Sequence, residues 1–141
     1  MIVCKEFEEK YALEVSGLLK QLGYSVSKEE LPKRIENIKR NNGIVIIALE
    51  EEKVAGCINT MIVPRLAEGT CGEIVSLVVD ESMRGKGAGK FLLDQSINWL
   101  KERGQTKVRI RCNTIREEAH KFYSHLGYTE KKSQKVFEKN I

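Results

Sequence analysis

An α/β domain built on a mixed sheet is the fold class that this chain of 141 residues predicts, on three observations. Apolar, β-branched runs at 44–49, 54–63 and 74–79 read as strands. Helical stripes of period 3.6 flank them, and a glycine-rich turn joins the third run directly to a helix. The predicted order is β-α-α-β-β-β-α-β-α-β-β, about seven strands in a central twisted sheet. Hairpins early and late flank a β-α-β crossover in the middle, so the sheet is mixed and helices cover both faces. This length suits one domain over residues 1–141, without repeats or linkers.

Each element has a local reason. Residues 2–6 form a short strand, and a helix follows over about 8–22 with Ala12, Val15, Leu19 and Leu22 on its inward stripe, stopped by Gly23. Ser27-x-x-Glu30 has the form of a capping box, and Leu31, Ile35 and Ile38 continue a stripe to about Arg40, with Pro32 expected to bend or delay the helix. Strands at 44–49 and 54–63 enclose the polar turn Glu51-Glu52-Lys53, and a loop runs from Pro64 to Gly72. A strand at 73–80, a helix at 88–103, a strand at 106–112, a helix at 116–126 and a closing strand pair near 128–139 complete the order.

The run Arg84-Gly85-Lys86-Gly87-Ala88-Gly89-Lys90 carries the most chemistry. A strand feeding a glycine-rich turn and a helix start turns several free N–H groups, and the positive end of the helix dipole, towards one point. Absent Cβ atoms let anionic oxygens approach the main chain. The dinucleotide fingerprint G-x-G-x-x-G fails because Lys90 occupies its third glycine position. The triphosphate loop G-x-x-x-x-G-K-[ST] fails because Phe91 follows Lys90, which leaves no hydroxyl for Mg²⁺.

The pattern that does fit is R-x-x-G-x-G, as Arg84, Gly87 and Gly89. A second segment accompanies it: Lys107 to Arg111 alternates as a strand, then come Cys112-Asn113, Ala119-x-x-Phe122-Tyr123 and Leu126-Gly127-Tyr128. Ala119, Phe122, Tyr123 and Leu126 share one helix face, and Gly127 suits the helix stop. Together these motifs resemble the GCN5-related N-acetyltransferase (GNAT) family. The order of elements agrees along about the whole chain, whereas the specific motifs lie within 73–128.

The resemblance implies a GNAT fold and acetyl-CoA as cofactor, leaving as coenzyme A. Arg84, Gly85, Lys86, Gly87, Ala88, Gly89 and Lys90 would hold the pyrophosphate. Leu77, Val78 and Val79 would pair through the main chain with pantetheine in a gap between splayed strands. A Leu77 N–H would also polarise the thioester carbonyl. Asn113 could hydrogen-bond the cofactor arm, with turn-forming or capping duty as the alternative.

The reaction implied is direct attack of an amine on the thioester. A primary amine of pKa ~10.4 must lose its proton, at a cost of about 4–5 kcal/mol at pH 7, so a proton acceptor is useful. Glu73 is the candidate base, directly or through water; a solvated charge at a strand start is the alternative. Tyr123 is the candidate acid towards the departing thiolate, and an aromatic on an apolar helix face is the alternative. The expected acceptor is a small-molecule amine. A protein N-terminus or lysine, and a non-catalytic acyl-CoA-binding module, are the other readings.

Composition agrees with these expectations. The net charge of +4 is spread along the chain, unlike the clustered stripe of a nucleic-acid binder. No apolar run is long enough for a bilayer, and the charged start is no signal peptide. Cys4, Cys57, Cys71 and Cys112 never form C-x-x-C and read as reduced thiols of a cytoplasmic protein, with no disulfide frame and no metal site. Cys71 and Cys112 are expected to be buried and not acetylated. Val136-Phe137 could serve an edge contact in a homodimer.

Overall fold

The computed structural model describes residues 1–141 and divides them into two units, Met1–Ile110 and Arg111–Ile141. The first unit carries one sheet of five strands in the order β1-β2-β3-β4-β5: β1 Ile2–Glu6, β2 Gly43–Glu50, β3 Lys53–Val63, β4 Cys71–Val79 and β5 Val108–Ile110. The first four are antiparallel neighbours and β5 is parallel to β4, so the sheet is mixed. Its α-helices are α1 Ala12–Gln21, α2 Leu31–Arg40 and α3 Ala88–Glu102.

Side-chain alternation sends the two sheet faces to different helices. Val45, Ile47, Leu49, Val54, Cys57 and Val78 pack with Val15 and Leu18 of α1 and with Leu31 and Ile35 of α2. On the other face stand Ile58, Thr60 and Ile74, all buried like Leu92, Ser96 and Leu100 of α3. A Cβ on Gly56 or Gly72 would meet Leu92 or Leu100 at 3.1 Å or less, so α3 presses directly on the backbone there. Full burial of side chains such as Ile47 and Ile58 contributes about 1.5–3 kcal/mol each.

The helix signals act as their chemistry requires. Ser27 Oγ accepts from the Glu30 N–H at 3.1 Å. Pro32 falls in the first turn of α2, where an N–H would have no partner, so it delays the helix without breaking it. In α1 the buried stripe is Ala12, Val15 and Leu18, with Leu19 and Leu22 only partly covered. Glu51 and Glu52 both take positive φ, 48° and 67°, giving a tight hairpin turn without glycine.

The second unit holds α4, Glu117–His125. Gly127 at φ 93° ends it, and the Tyr128 N–H returns to Tyr123 O at 3.0 Å. The half-buried residues Ala119, Phe122, Tyr123 and Leu126 are the expected face. The sheet has five strands and not about seven. No strand forms over 128–139, where Val136 and Phe137 stay exposed among charged residues and bury nothing that would offset the ordering of the chain. The strand expected at 106–112 is confined to Val108–Ile110.

Candidate active site

The glycine loop ends in a helix start with no cap. Gly85 and Gly87 take φ of 84° and 87°, which a side chain would strain. Phe91 is the first residue of α3 to donate within the helix, to Gly87 O at 3.0 Å, so the N–H groups of Ala88, Gly89 and Lys90 have no helical acceptor. No side chain caps this end, and the first turn holds no acid. A Cβ on Gly85 would meet nothing within 4 Å, so the space before the loop is open.

Arg84 and Lys86 are exposed beside it. Lys90 pairs with Asp94 at 2.8 Å, which ties it to its own helix, and Arg84 Nε donates to Val79 O at 3.3 Å. The loop is anchored upstream by Asp80, whose carboxylate accepts from the Ser82 N–H and hydroxyl. Those bonds hold its pKa below the ordinary value.

Strand β4 supplies the second half of the site. It pairs with β5 only at Gly72, Glu73 and Ile74, so the rest of that edge has no neighbouring strand. Opposite β3, Asn59 faces Ser76 and Thr60 faces Ile74, which leaves Val75 as a bulged residue without a partner. The Asp80 N–H donates to Ala55 O at 2.8 Å, and alternation from there turns the Leu77 and Val79 main chain to the open edge. The Val78 main chain faces β3, and its side chain is core.

Glu73 is bound to Arg65. Nη2 of Arg65 lies 2.5 Å from Glu73 Oε1, and the side chains are only 20% and 14% exposed respectively. That bond raises the Arg65 pKa above its usual value. Arg65 Nη1 also approaches Cys71 Sγ, at 3.6 Å. Neither reading of Glu73, as a base or as a solvated charge at a strand start, included this arginine, and the carboxylate is largely withdrawn from solvent. The arginine's only sequence signal was a cation eight residues upstream, across a loop.

On the α1/α2 face, a cavity of about 160 Å³ opens between the two helices and strands β2 to β4. Asn59 and Ser76 line it, and Asn59 Oδ1 is buried with no hydrogen-bond partner. Cys57 also lines it, its thiol pushed up to about 12 by burial and therefore neutral. Nothing in the periodicity of β3 had marked Asn59.

In the second unit, Tyr123 stacks edge-on with Phe122 and Tyr128, at ring separations of 5.3 and 5.9 Å. Burial pushes its phenol up to about 12, with smaller contributions from Cys112 and Tyr128 opposed by Arg116. It is a neutral hydroxyl at every working pH, and a weaker acid than an ordinary phenol. Asn113 Oδ1 accepts from the Ile115 N–H at 3.2 Å, which is turn-forming duty. Cys112 is half-buried and its thiol is raised by burial, whereas Cys71 is fully buried.

The family model described as "Acetyltransferase (GNAT) family" matches residues 9–128. Glucosamine 6-phosphate N-acetyltransferase of Arabidopsis thaliana is 32% identical over 133 residues, 90% of this chain and 87% of that protein. An uncharacterised N-acetyltransferase of Bacillus subtilis, YhdJ, is 27% identical over 89% of this chain and 86% of its own length. The crystal structure of glucosamine-6-phosphate N-acetyltransferase from Arabidopsis thaliana superposes with a TM-score of 0.84 over 99% of both chains, at 27% identity. An aminoglycoside 6′-N-acetyltransferase from Acinetobacter haemolyticus shares the fold, with a TM-score of 0.83 at 17% identity and 99% coverage of both chains. With the glycine loop at an uncapped helix start and β4 open along one edge, the chain belongs to the GNAT acetyltransferases.

Proposed function

We propose that this protein transfers an acetyl group from acetyl-CoA to a primary amine of a small molecule. The observation that carries the cofactor assignment is the start of α3. Three N–H groups without helical acceptors meet positive-φ glycines in open space, which suits a diphosphate. The Ala88, Gly89 and Lys90 amides would grip it, with Arg84, Gly85, Lys86 and Gly87 around it. Leu77 and Val79 would offer main-chain groups to the pantetheine arm, with Val78 holding the strand to the core. Bound there, acetyl-CoA supplies a thioester that an amine attacks directly.

The chain's own groups then handle protons and charge. A Leu77 N–H would polarise the thioester carbonyl. Glu73, held by Arg65, would take the amine proton directly or through water. Tyr123 would donate a hydrogen bond to the departing sulfur. With its pKa near 12 it serves as a hydrogen-bond donor more readily than as a full proton donor. Asn113 keeps its amide nitrogen for the cofactor arm while its oxygen forms the turn.

A small-molecule acceptor is favoured by the relative at 32% identity, a glucosamine 6-phosphate N-acetyltransferase. The test is thiol release from acetyl-CoA across polyamines, aminoglycosides, amino sugars, amino acids and N-terminal peptides, preceded by a thermal shift with coenzyme A. Stabilisation by about 2.7 kcal/mol is expected at a hundredfold excess over Kd. Thiol release with a small amine supports the reading. Release with peptides alone, or coenzyme A binding with no release to any acceptor, overturns it.

A further inference from the structure

We infer that the cavity between α1, α2 and the sheet is the acceptor site and that it selects primary amines with an apolar body, with Asn59 Oδ1 taking an N–H of the amine. This rests on the acetyltransferase reading above. Asn59 and Ser76 are direct partners across β3 and β4, so their side chains leave the sheet on the same face. Ser76 stands between the bulged Val75 and the edge-facing Leu77, so the cavity adjoins the stretch of β4 assigned to the thioester arm.

The lining decides the class of acceptor. Apart from Asn59, Ser76 and the neutral Cys57 thiol, α1, α2 and β2 contribute apolar side chains, among them Val15, Ile35 and Ile38. Arg34 is the one charged residue of the lining. Its guanidinium is exposed and paired with Glu30 at 3.0 Å, so a phosphate there would compete with that carboxylate and with water. A sugar phosphate would bring more hydroxyls than Asn59 and Ser76 can pair and a dianion whose one nearby cation is already shared, so part of its polar surface would face the apolar wall. An alkyl or arylalkyl amine leaves its body against Ile35 and Ile38 and its N–H on the one buried acceptor without a partner.

The experiment compares 2-phenylethylamine and isopentylamine with glucosamine 6-phosphate, by thiol release from acetyl-CoA and, separately, by calorimetry of amine binding to the coenzyme A complex. The two apolar amines are expected to exceed the sugar phosphate at least tenfold in kcat/KM. Asn59→Ala should raise the apolar amines' KM and Kd at least tenfold with the KM for acetyl-CoA unchanged. Ile38→Trp, which fills the cavity from α2 and leaves the Asn59 side chain in place, should do the same, so a folding defect in one variant does not decide the matter. Preference for glucosamine 6-phosphate would overturn the inference and leave the acetyltransferase reading standing. Amine binding indifferent to both substitutions would overturn it as well, whether or not thiol is released.

Discussion

Arg65 and Glu73 form an ion pair at the start of β4, with Nη2 2.5 Å from Oε1 and both side chains largely withdrawn from water. The pair fixes the carboxylate's orientation, and it also occupies one of the oxygens that a base would use. Removing either partner takes this contact from a charge largely withdrawn from water, which costs more than breaking an exposed pair would.

The two duties separate experimentally. If Glu73 accepts the amine proton, Glu73→Gln lowers kcat/KM at least tenfold and flattens its rise with pH, within the usual range for general-base catalysis. Arg65→Ala, which keeps the carboxylate and removes the arginine from it, lowers kcat/KM less. Rate–pH profiles with melting temperatures on both variants decide it. An unchanged profile in Glu73→Gln, with a lowered Tm, confines the pair to structural work.

Tyr123 gives a second prediction with a pH window. Its phenol is raised from 10.0 to about 12 and the Cys57 thiol from 9.0 to about 12, both chiefly by burial. Each group therefore holds its proton more tightly in the folded chain. Their stabilisation is complete below pH 9 and is lost as pH climbs towards 12, with Cys57 contributing from about 9 and Tyr123 from about 10. Urea midpoints taken from pH 8 to 11 should fall in the wild type and fall less steeply in Tyr123→Phe. At neutral pH, the same variant should lose at least tenfold in kcat with acetyl-CoA affinity kept. Equal turnover removes the hydroxyl from the reaction.

Gly87 tests the cradle. Its φ of 87° means that Gly87→Ala strains the backbone by about 1–2 kcal/mol, while its Cβ meets only the Phe91 ring at 3.7 Å. A modest fall in Tm is expected, together with at least a tenfold weaker coenzyme A dissociation constant by calorimetry. Gly104→Ala carries a similar strain, at φ 79°, on a loop beyond the other end of α3. It should lower Tm alike and leave coenzyme A binding intact. Equal effects of both on binding would mean that loop strain, not the anion, is being measured.

What was legible in the sequence was what local chemistry dictates. Ser27, Pro32, Gly23 and Gly127 set helix boundaries, and the apolar runs of β2, β3 and β4 gave the strands. The start of α3 was readable because glycine spacing and helix N-termini obey local rules. Non-local pairing was not readable. The bulge at Val75 depends on the register of β3 against β4, and Arg65 reaches Glu73 only once the loop folds back. Asn59 looked like any polar residue in a strand, since burial without a partner depends on α1, α2 and β4 together. The missing closing strands show the converse: Val136 and Phe137 alternate with nothing apolar, so a strand there would have no face to bury.

Thr60 and Ser96 supply the last prediction, on the α3 face. Both are fully buried, and their hydroxyl oxygens lie 2.7 Å apart, joining β3 to α3. Thr60→Val keeps the shape but leaves the Ser96 hydroxyl without its cross-element partner, at a cost of about 1–3 kcal/mol. A serine inside a helix can turn back to the carbonyl four residues earlier, here Leu92, which places the loss at the low end of that range. Ser96→Ala strands the threonine on a strand, where no such local acceptor exists, so it should cost more. The double variant removes both hydroxyls and should be less destabilised than the sum of the singles by about 1 kcal/mol. Urea unfolding of the four proteins measures this directly, and strict additivity would show that the two hydroxyls are satisfied independently.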